Sequence, residues 1–407
     1  MTPGAAVAAA GHGVGATGSG ATGRRLHKVL VVHNAYRLRG GEDSVVDSEL
    51  ALLRHNGHQV VEYIRHNDEI DGASSMPLAA QSLWSHQTTS EVAAMLARER
   101  PDVVHVHNTL PLVSPSVYWA CARAGVPVVQ TLHNFRLACP QAIFLREGKV
   151  CESCLGRVPW RAVAHGCYRG SRAQSAVVAA TSTLHWMLGT WSRKVTRYIA
   201  LNEFCRDKFI AAGLPPDRVA IKPNFVDEPR AVEKQARQGF LYVGRLSVEK
   251  GVSVLLEAAR LDDQEEIRIA GSGPQARQVS ATTEVKALGV LDPGGVNQEL
   301  ARALAMIIPS ICYESHPRTL VEAFACGTPV IASRLGAMPA LVTEGVTGLL
   351  FNPGDAQDLA RVMRWASQHP REMAAMGARA RDVYESKYSP AENYRQLIEI
   401  YDAACCP

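Results

Sequence analysis

Short apolar runs alternate along this chain with longer stretches whose apolar residues recur every three or four positions. The first pattern suits strands covered on both faces and the second suits amphipathic helices. Their alternation predicts an α/β fold built on parallel sheets. In the first half, strands are expected over residues 28–33, 58–64, 103–107, 128–132, 198–201 and 219–222. The first is followed by a glycine-bearing turn (Arg39, Gly40, Gly41, Glu42, Asp43) and a helix with apolar positions Val45, Val46, Leu50 and Leu53, stopped at Asn56-Gly57. A second set starts over 240–243 and continues over 267–270, 306–308 and 330–332. A last helix over 390–404 carries Tyr394, Leu397, Ile398 and Tyr401 at helical spacing.

Two such sets predict two Rossmann-like domains with a cleft between them, lined by the carboxyl ends of the strands. The polar stretch 231–238 reads as the linker. The expected divisions are a tail over 1–23, a first Rossmann-like domain over 24–225, a second over 226–385, and a terminal segment over 386–407 able to pack back on the first domain. The tail is almost all Gly, Ala, Thr and Ser; it cannot bury a core and is expected to be disordered. It lacks the basic start of a signal peptide, so it reads as uncleaved and the protein as cytoplasmic. No run of 18 or more apolar residues exists to cross a bilayer.

The 407 residues carry a formal charge of +4, but the charge is uneven. Residues 146–197 hold nine basic and two acidic side chains, a local patch suited to an anionic partner. Nothing points to nucleic acid.

Candidate chemistry is densest in the second half. Arg245 follows an expected strand end beside Gly244, and Lys250 sits where a helix should start. Two cations there suit a diphosphate, helped by the helix N-terminus; two solvated surface charges are the plain alternative. Further on, Glu314 and Glu322 bracket a strand-to-helix passage. Carboxylates there suit the vicinal hydroxyls of a ribose or hexose, and the backbone N–H groups of Thr319 and Leu320 suit a phosphate. The alternative for Glu322 is a charge stabilised by the start of its helix, which would place it close to the first turn.

The order and spacing of these motifs resemble family 4 of the glycosyltransferases. The resemblance runs over about residues 28–400 through Val243-Gly244-Arg245-Leu246, Glu249-Lys250-Gly251, Ala270-Gly271-Ser272-Gly273-Pro274, the Glu314–Glu322 segment and Gly327-Thr328-Pro329-Val330. Lys222-Pro223-Asn224 matches the family's domain junction. The resemblance implies the GT-B fold and a retaining transfer from a nucleotide-sugar donor to a glycan or lipid-linked acceptor, in polysaccharide or glycoconjugate assembly, with no catalytic metal. By the same resemblance, Arg245 and Lys250 hold the diphosphate and stabilise the leaving nucleotide, Glu314 meets the donor sugar and Glu322 the ribose. Gly40 and Gly41 give close backbone approach to phosphate and acceptor, and His133, at an expected strand end, lies near the transferred sugar; His107 is a second candidate. The chain departs from the family where His316 stands in place of a Phe. A sugar-nucleotide-binding module without turnover, or another two-domain enzyme such as an epimerase or phosphorylase, are the competing readings.

Residues 135–170 interrupt the first domain with Cys139, Cys151, Cys154 and Cys167. A C-x2-C pair with two further cysteines fits a four-thiolate structural zinc site, or else four reduced thiols in a loop. After it, residues 171–191 read as one helix with Val177, Leu184, Leu188 and Trp191 on a face, flanked by the basic patch. That region is either an ordinary core helix or a surface resting on anionic lipid, peripheral to the membrane.

Overall fold

The computed structural model describes residues 27–70, 75–229, 236–261 and 265–406. The expected tail over 1–23 and most of the linker lie outside these residues. In chain order the strands are β1 (Lys28–Ala35), β2 (Gln59–His66), β3 (Val103–Val106), β4 (Val128–Thr131), a small hairpin of β5 (Leu145–Arg146) and β6 (Lys149–Val150), then β7 (Arg197–Ala200) and β8 (Val219–Ile221). The second half holds β9 (Phe240–Val243), β10 (Ile267–Ala270), β11 (Val285–Gly289), β12 (Ala305–Ile308), β13 (Val330–Ser333) and β14 (Gly348–Phe351).

These strands form two parallel sheets of six, ordered β2-β1-β3-β4-β7-β8 and β11-β10-β9-β12-β13-β14. Each order reverses once, between β1 and β3 in the first sheet and between β9 and β12 in the second. Loops leaving such neighbours diverge to opposite faces and open a crevice at the strand ends.

Alternation along the central strands explains the layering. Leu30, Val32, Val104 and Val106 face one helical layer, while Val29, Val31, Val103 and Val129 face the other. The second layer is completed by the last helix, Pro390–Cys405, whose Tyr394, Leu397, Ile398 and Tyr401 are buried against the first sheet. Ser389 caps that helix through Glu392 N, and Pro390 opens it with a φ already suited to the turn. Each large apolar side chain buried there contributes about 1.5–3 kcal/mol relative to exposure. The chain therefore crosses between halves twice, once on leaving the first sheet and once on returning to it.

One expectation needs correction. The helix expected over 171–191 runs as Arg172–Met187, because Gly189 turns left-handed (φ 69) and a wide turn, Thr190–Lys194, follows. Its buried face is Ser175, Val178, Ala179, Thr181 and His185 rather than the apolar set, and Met187 and Leu188 are exposed. His185 is tolerated inside because its ring bonds Thr190 Oγ1 at 2.8 Å and the Leu83 carbonyl at 2.9 Å. The hairpin β5–β6 gave no alternating pattern long enough to read. Among the described residues no helix is long and apolar enough to cross a membrane.

Candidate active site

The crevice between β9 and β12 collects the charged residues of the second half. After β9 the chain turns through Arg245 into a short turn, Val248–Lys250; after β12 it passes through Pro309 and Ser310 to Glu314. Glycine lets these two segments touch. Gly251 adopts φ 71, and a Cβ there would lie 1.8 Å from the Pro309 carbonyl oxygen. One hydrogen bond, Ile311 N–H to the Glu249 carbonyl at 3.0 Å, ties the segments together. Gly271 does the same for the neighbouring loop, where a Cβ would fall 1.8 Å from the Gly244 carbonyl.

This packing places Lys250 Nζ 2.7 and 2.9 Å from the two oxygens of Glu314. The Ser310 hydroxyl adds a third hydrogen bond at 2.6 Å. Burial opposes ionisation of Glu314, but the ammonium and the two hydrogen-bonding partners outweigh it and hold the carboxyl below its usual range. Lys250 is likewise opposed by burial and held above its usual value by Glu314. Both are ionised at neutral pH. Arg245 is exposed and has no carboxylate partner among the described residues. Lys250 and Glu314, expected to hold diphosphate and sugar separately, thus hold each other, with Arg245 as the uncommitted cation beside them.

Glu322 is the fifth residue of helix Arg318–Ala325 and so lies just past its first turn. Pro317 takes the extended N-cap position that opens the helix. Glu322 accepts from Arg318 Nε at 3.0 Å, and Arg318 Nη1 donates to Ser48 Oγ of the first half at 3.2 Å. The Leu320 N–H already donates to the Pro317 carbonyl at 3.1 Å. The Thr319 N–H belongs to the open first turn.

In the first half, the crevice between β1 and β3 holds the turn with Gly40 and Gly41. Gly40 N–H donates to Asp43 Oδ2 at 2.8 Å and is not free to meet a phosphate. Gly41 has no atom within 4 Å of where a Cβ would stand, so the space over it is open. Asp43 also accepts from His33 Nε2 at 2.9 Å and the Tyr36 N–H at 3.2 Å; burial raises its pKa, but these bonds win and lower it. His133 lies just past β4, half-buried, with Nε2 2.9 Å from His107 Nδ1 and the two rings stacked at 5.2 Å.

The halves meet around these residues. Ser315 Oγ donates to the His133 carbonyl at 2.6 Å, directly beside Glu314 in sequence. Asn202 Nδ2 donates to the Ser315 carbonyl, and Asn224 Nδ2 to the His316 carbonyl at 3.0 Å. His316 is buried edge-on to Tyr388 at 5.3 Å, with its pKa pushed down to about 3 by burial. It fills the domain junction as an aromatic ring would. Ser315 and Arg318 were not singled out from sequence, since lone Ser and Arg residues carry no spacing signal. The structure brings Lys250, Glu314 and His133 to one junction.

The four insertion cysteines are free thiols. Burial and their mutual charge repulsion raise the thiols of Cys154 and Cys167, which places the four in one neighbourhood. Among the described residues, no three of their sulfurs come within 4.8 Å of one another.

Comparison with known proteins fits this arrangement. Residues 19–230 match the model of Glycosyltransferase Family 4, and residues 227–383 that of Glycosyl transferases group 1. The chain is 28% identical over 226 residues to the amylovoran biosynthesis glycosyltransferase AmsK of Erwinia amylovora, a match spanning 50% of this chain and 55% of that protein. It is 27% identical over 325 residues to D-inositol 3-phosphate glycosyltransferase 1 of Catenulispora acidiphila, spanning 74% of this chain and 72% of that one. The fold matches that of Anabaena Alr3699/HepE in complex with UDP-glucose, with a TM-score of 0.65 at 17% identity over 93% of this chain and 100% of that chain. With both domain models matched in order and the paired sheets of the GT-B fold, the chain belongs to glycosyltransferase family 4 and is an enzyme of the hexosyl-transferring kind.

Proposed function

We propose that this enzyme moves a hexosyl group, with retention, from a nucleoside-diphosphate sugar to a glycan or lipid-linked acceptor. One observation carries the reading: at the switch point between β9 and β12, Lys250 and the buried Glu314 are paired in the loops that also carry Arg245, and Ser315, next to Glu314, ties them to the His133 carbonyl of the other half. Arg245 and Lys250 suit the charge that develops on a leaving diphosphate. Glu314 and Glu322 suit sugar and ribose hydroxyls, Glu322 once it exchanges Arg318 for the ribose. Retention rests on the family resemblance.

The test is thermal stabilisation by nucleoside diphosphates and nucleotide sugars differing in base. One base should raise the melting temperature well above the others, and Glu322→Ala should lose most of that rise. Full stabilisation in Glu322→Ala would remove it from the site. Donor stabilisation with no product on any acceptor tried would favour the binding-module reading.

An acceptor carried on lipid agrees with one surface. Trp160 is 63% exposed, with Val158 exposed nearby, among exposed Arg157, Arg161, Arg169 and Arg172. We expect sedimentation with vesicles rich in anionic lipid, falling as salt rises. Equal recovery with neutral vesicles would count against it. For the insertion we propose a structural zinc on Cys139, Cys151, Cys154 and Cys167, which would have to draw the sulfurs inward. Elemental analysis of protein prepared without chelator should give about one zinc per chain; a value near zero leaves four thiols.

A further inference from the structure

Behind His133 lies a buried polar chain that the reaction as described does not use. Glu49, on helix Gly41–His55, is 2% exposed. Its Oε1 accepts from Lys222 Nζ, which also donates to Asn393 Oδ1 at 3.0 Å. Its Oε2 has no hydrogen-bond partner. That oxygen lies 3.6 Å from His107 Nε2, which also has none. The other His107 nitrogen is 2.9 Å from His133 Nε2.

The ligand atoms of Glu49, His105 and His107 lie within 4.8 Å of one another, a spacing that would admit a metal. The Lys222 ammonium on the same carboxylate argues against a second cation there. The His105 nitrogens are also engaged by Tyr401 OH and Thr131 Oγ1, each at 2.8 Å.

We propose that Glu49 and His107 are positioning residues that fix His133 as its Nε2–H tautomer, leaving its Nδ1 lone pair to accept a hydroxyl hydrogen from the sugar in the cleft. A lone pair on His107 Nε2 facing the Glu49 carboxylate at 3.6 Å would be repelled, whereas an N–H there is attracted, so His107 carries its proton on Nε2. A neutral imidazole carries one proton, so His107 Nδ1 is a lone pair. Burial keeps His107 well below its ordinary pKa and lowers that of His133, so both are neutral at pH 7. His133 Nε2 must therefore donate to His107, and Nδ1 is bare. The hydroxyls on His105 can donate or accept and leave this order unchanged.

The sugar in this statement rests on the function proposed above; the tautomer does not. The test is two-bond nitrogen–proton correlation on full-length protein labelled with nitrogen-15 histidine, the His133 signals assigned by their loss in His133→Gln. The expected result is a proton on Nε2 and none on Nδ1. In Glu49→Gln, Lys222 holds the amide oxygen, so the amide N–H₂ turns to His107 Nε2. The order then reverses, and His133 carries its proton on Nδ1.

A proton on Nδ1 in the unaltered protein overturns the proposal. Glu42 favours that outcome, since its charge acts on His133 and its Oε1 is unpartnered. An unchanged tautomer in folded Glu49→Gln also overturns it. If Glu49→Gln does not fold, the unaltered protein still decides, and His107→Gln should show both tautomers in place of one. Failure of every nucleotide sugar to bind would remove the substrate reading and leave the tautomer result standing.

Discussion

Lys250→Ala is expected to lower turnover by about 10²- to 10³-fold, the loss typical of removing one preorganised donor from developing negative charge. The effect has two sources that can be separated. Lys250 neutralises Glu314, so its removal leaves a carboxylate with 9% exposure held by Ser310 alone, which also costs stability. Arg245→Ala removes a cation that is exposed and unpaired among the described residues, so it should lower turnover with little change in melting temperature. Measuring kcat and thermal midpoint for both variants distinguishes them. Turnover within threefold of the unaltered enzyme in both would mean the diphosphate is held elsewhere.

The parts of this site that sequence made legible are those where backbone chemistry forces a residue type. Gly251 and Gly271 are required because two chain segments pass too close for a Cβ, and such demands leave a fixed spacing behind. The inner strands were equally readable, since both their faces are covered and their apolar runs are unbroken, whereas the edge strand β11 is largely exposed and carries only a weak signal. What stayed hidden depends on three-dimensional partners. Nothing in the local sequence links Glu49 to Lys222, or His107 to His133, because each lone residue there is as compatible with a surface as with the interior. The pairing of Lys250 with Glu314 was hidden for the same reason: each has a sound separate role until the loops are seen to touch. Helix Arg172–Met187 misled in the other direction. Its exposed Met187 and Leu188 looked like core, while the buried His185 is made acceptable by bonds from segments far away in the chain.

Lys222→Met is expected to destabilise the fold by about 3–5 kcal/mol, the range for removing one partner of a buried ion pair. Lys222 is 1% exposed and Glu49 2%, so solvent cannot take over the lost charge. Lys222 also joins three parts of the chain: Glu49 on the first helix, Asn393 on the last, and the junction it occupies, where Asn393 Nδ2 donates to the Pro223 carbonyl at 2.7 Å. The loss should depend on pH with a definite sign. Burial opposes ionisation of Glu49, yet Lys222 and the neighbouring imidazoles pull its folded pKa below the ordinary 4.5. A depressed carboxyl contributes stability that is present above its unfolded pKa and lost as pH falls through the folded value. Without Lys222 only burial dominates, and Glu49 takes up a proton more readily on folding. The gap between the two proteins should thus be widest near neutrality and narrow below about pH 4.5. Urea unfolding at several pH values reads this directly. A gap that stays constant, or widens in acid, would show that the two side chains are not coupled as charges.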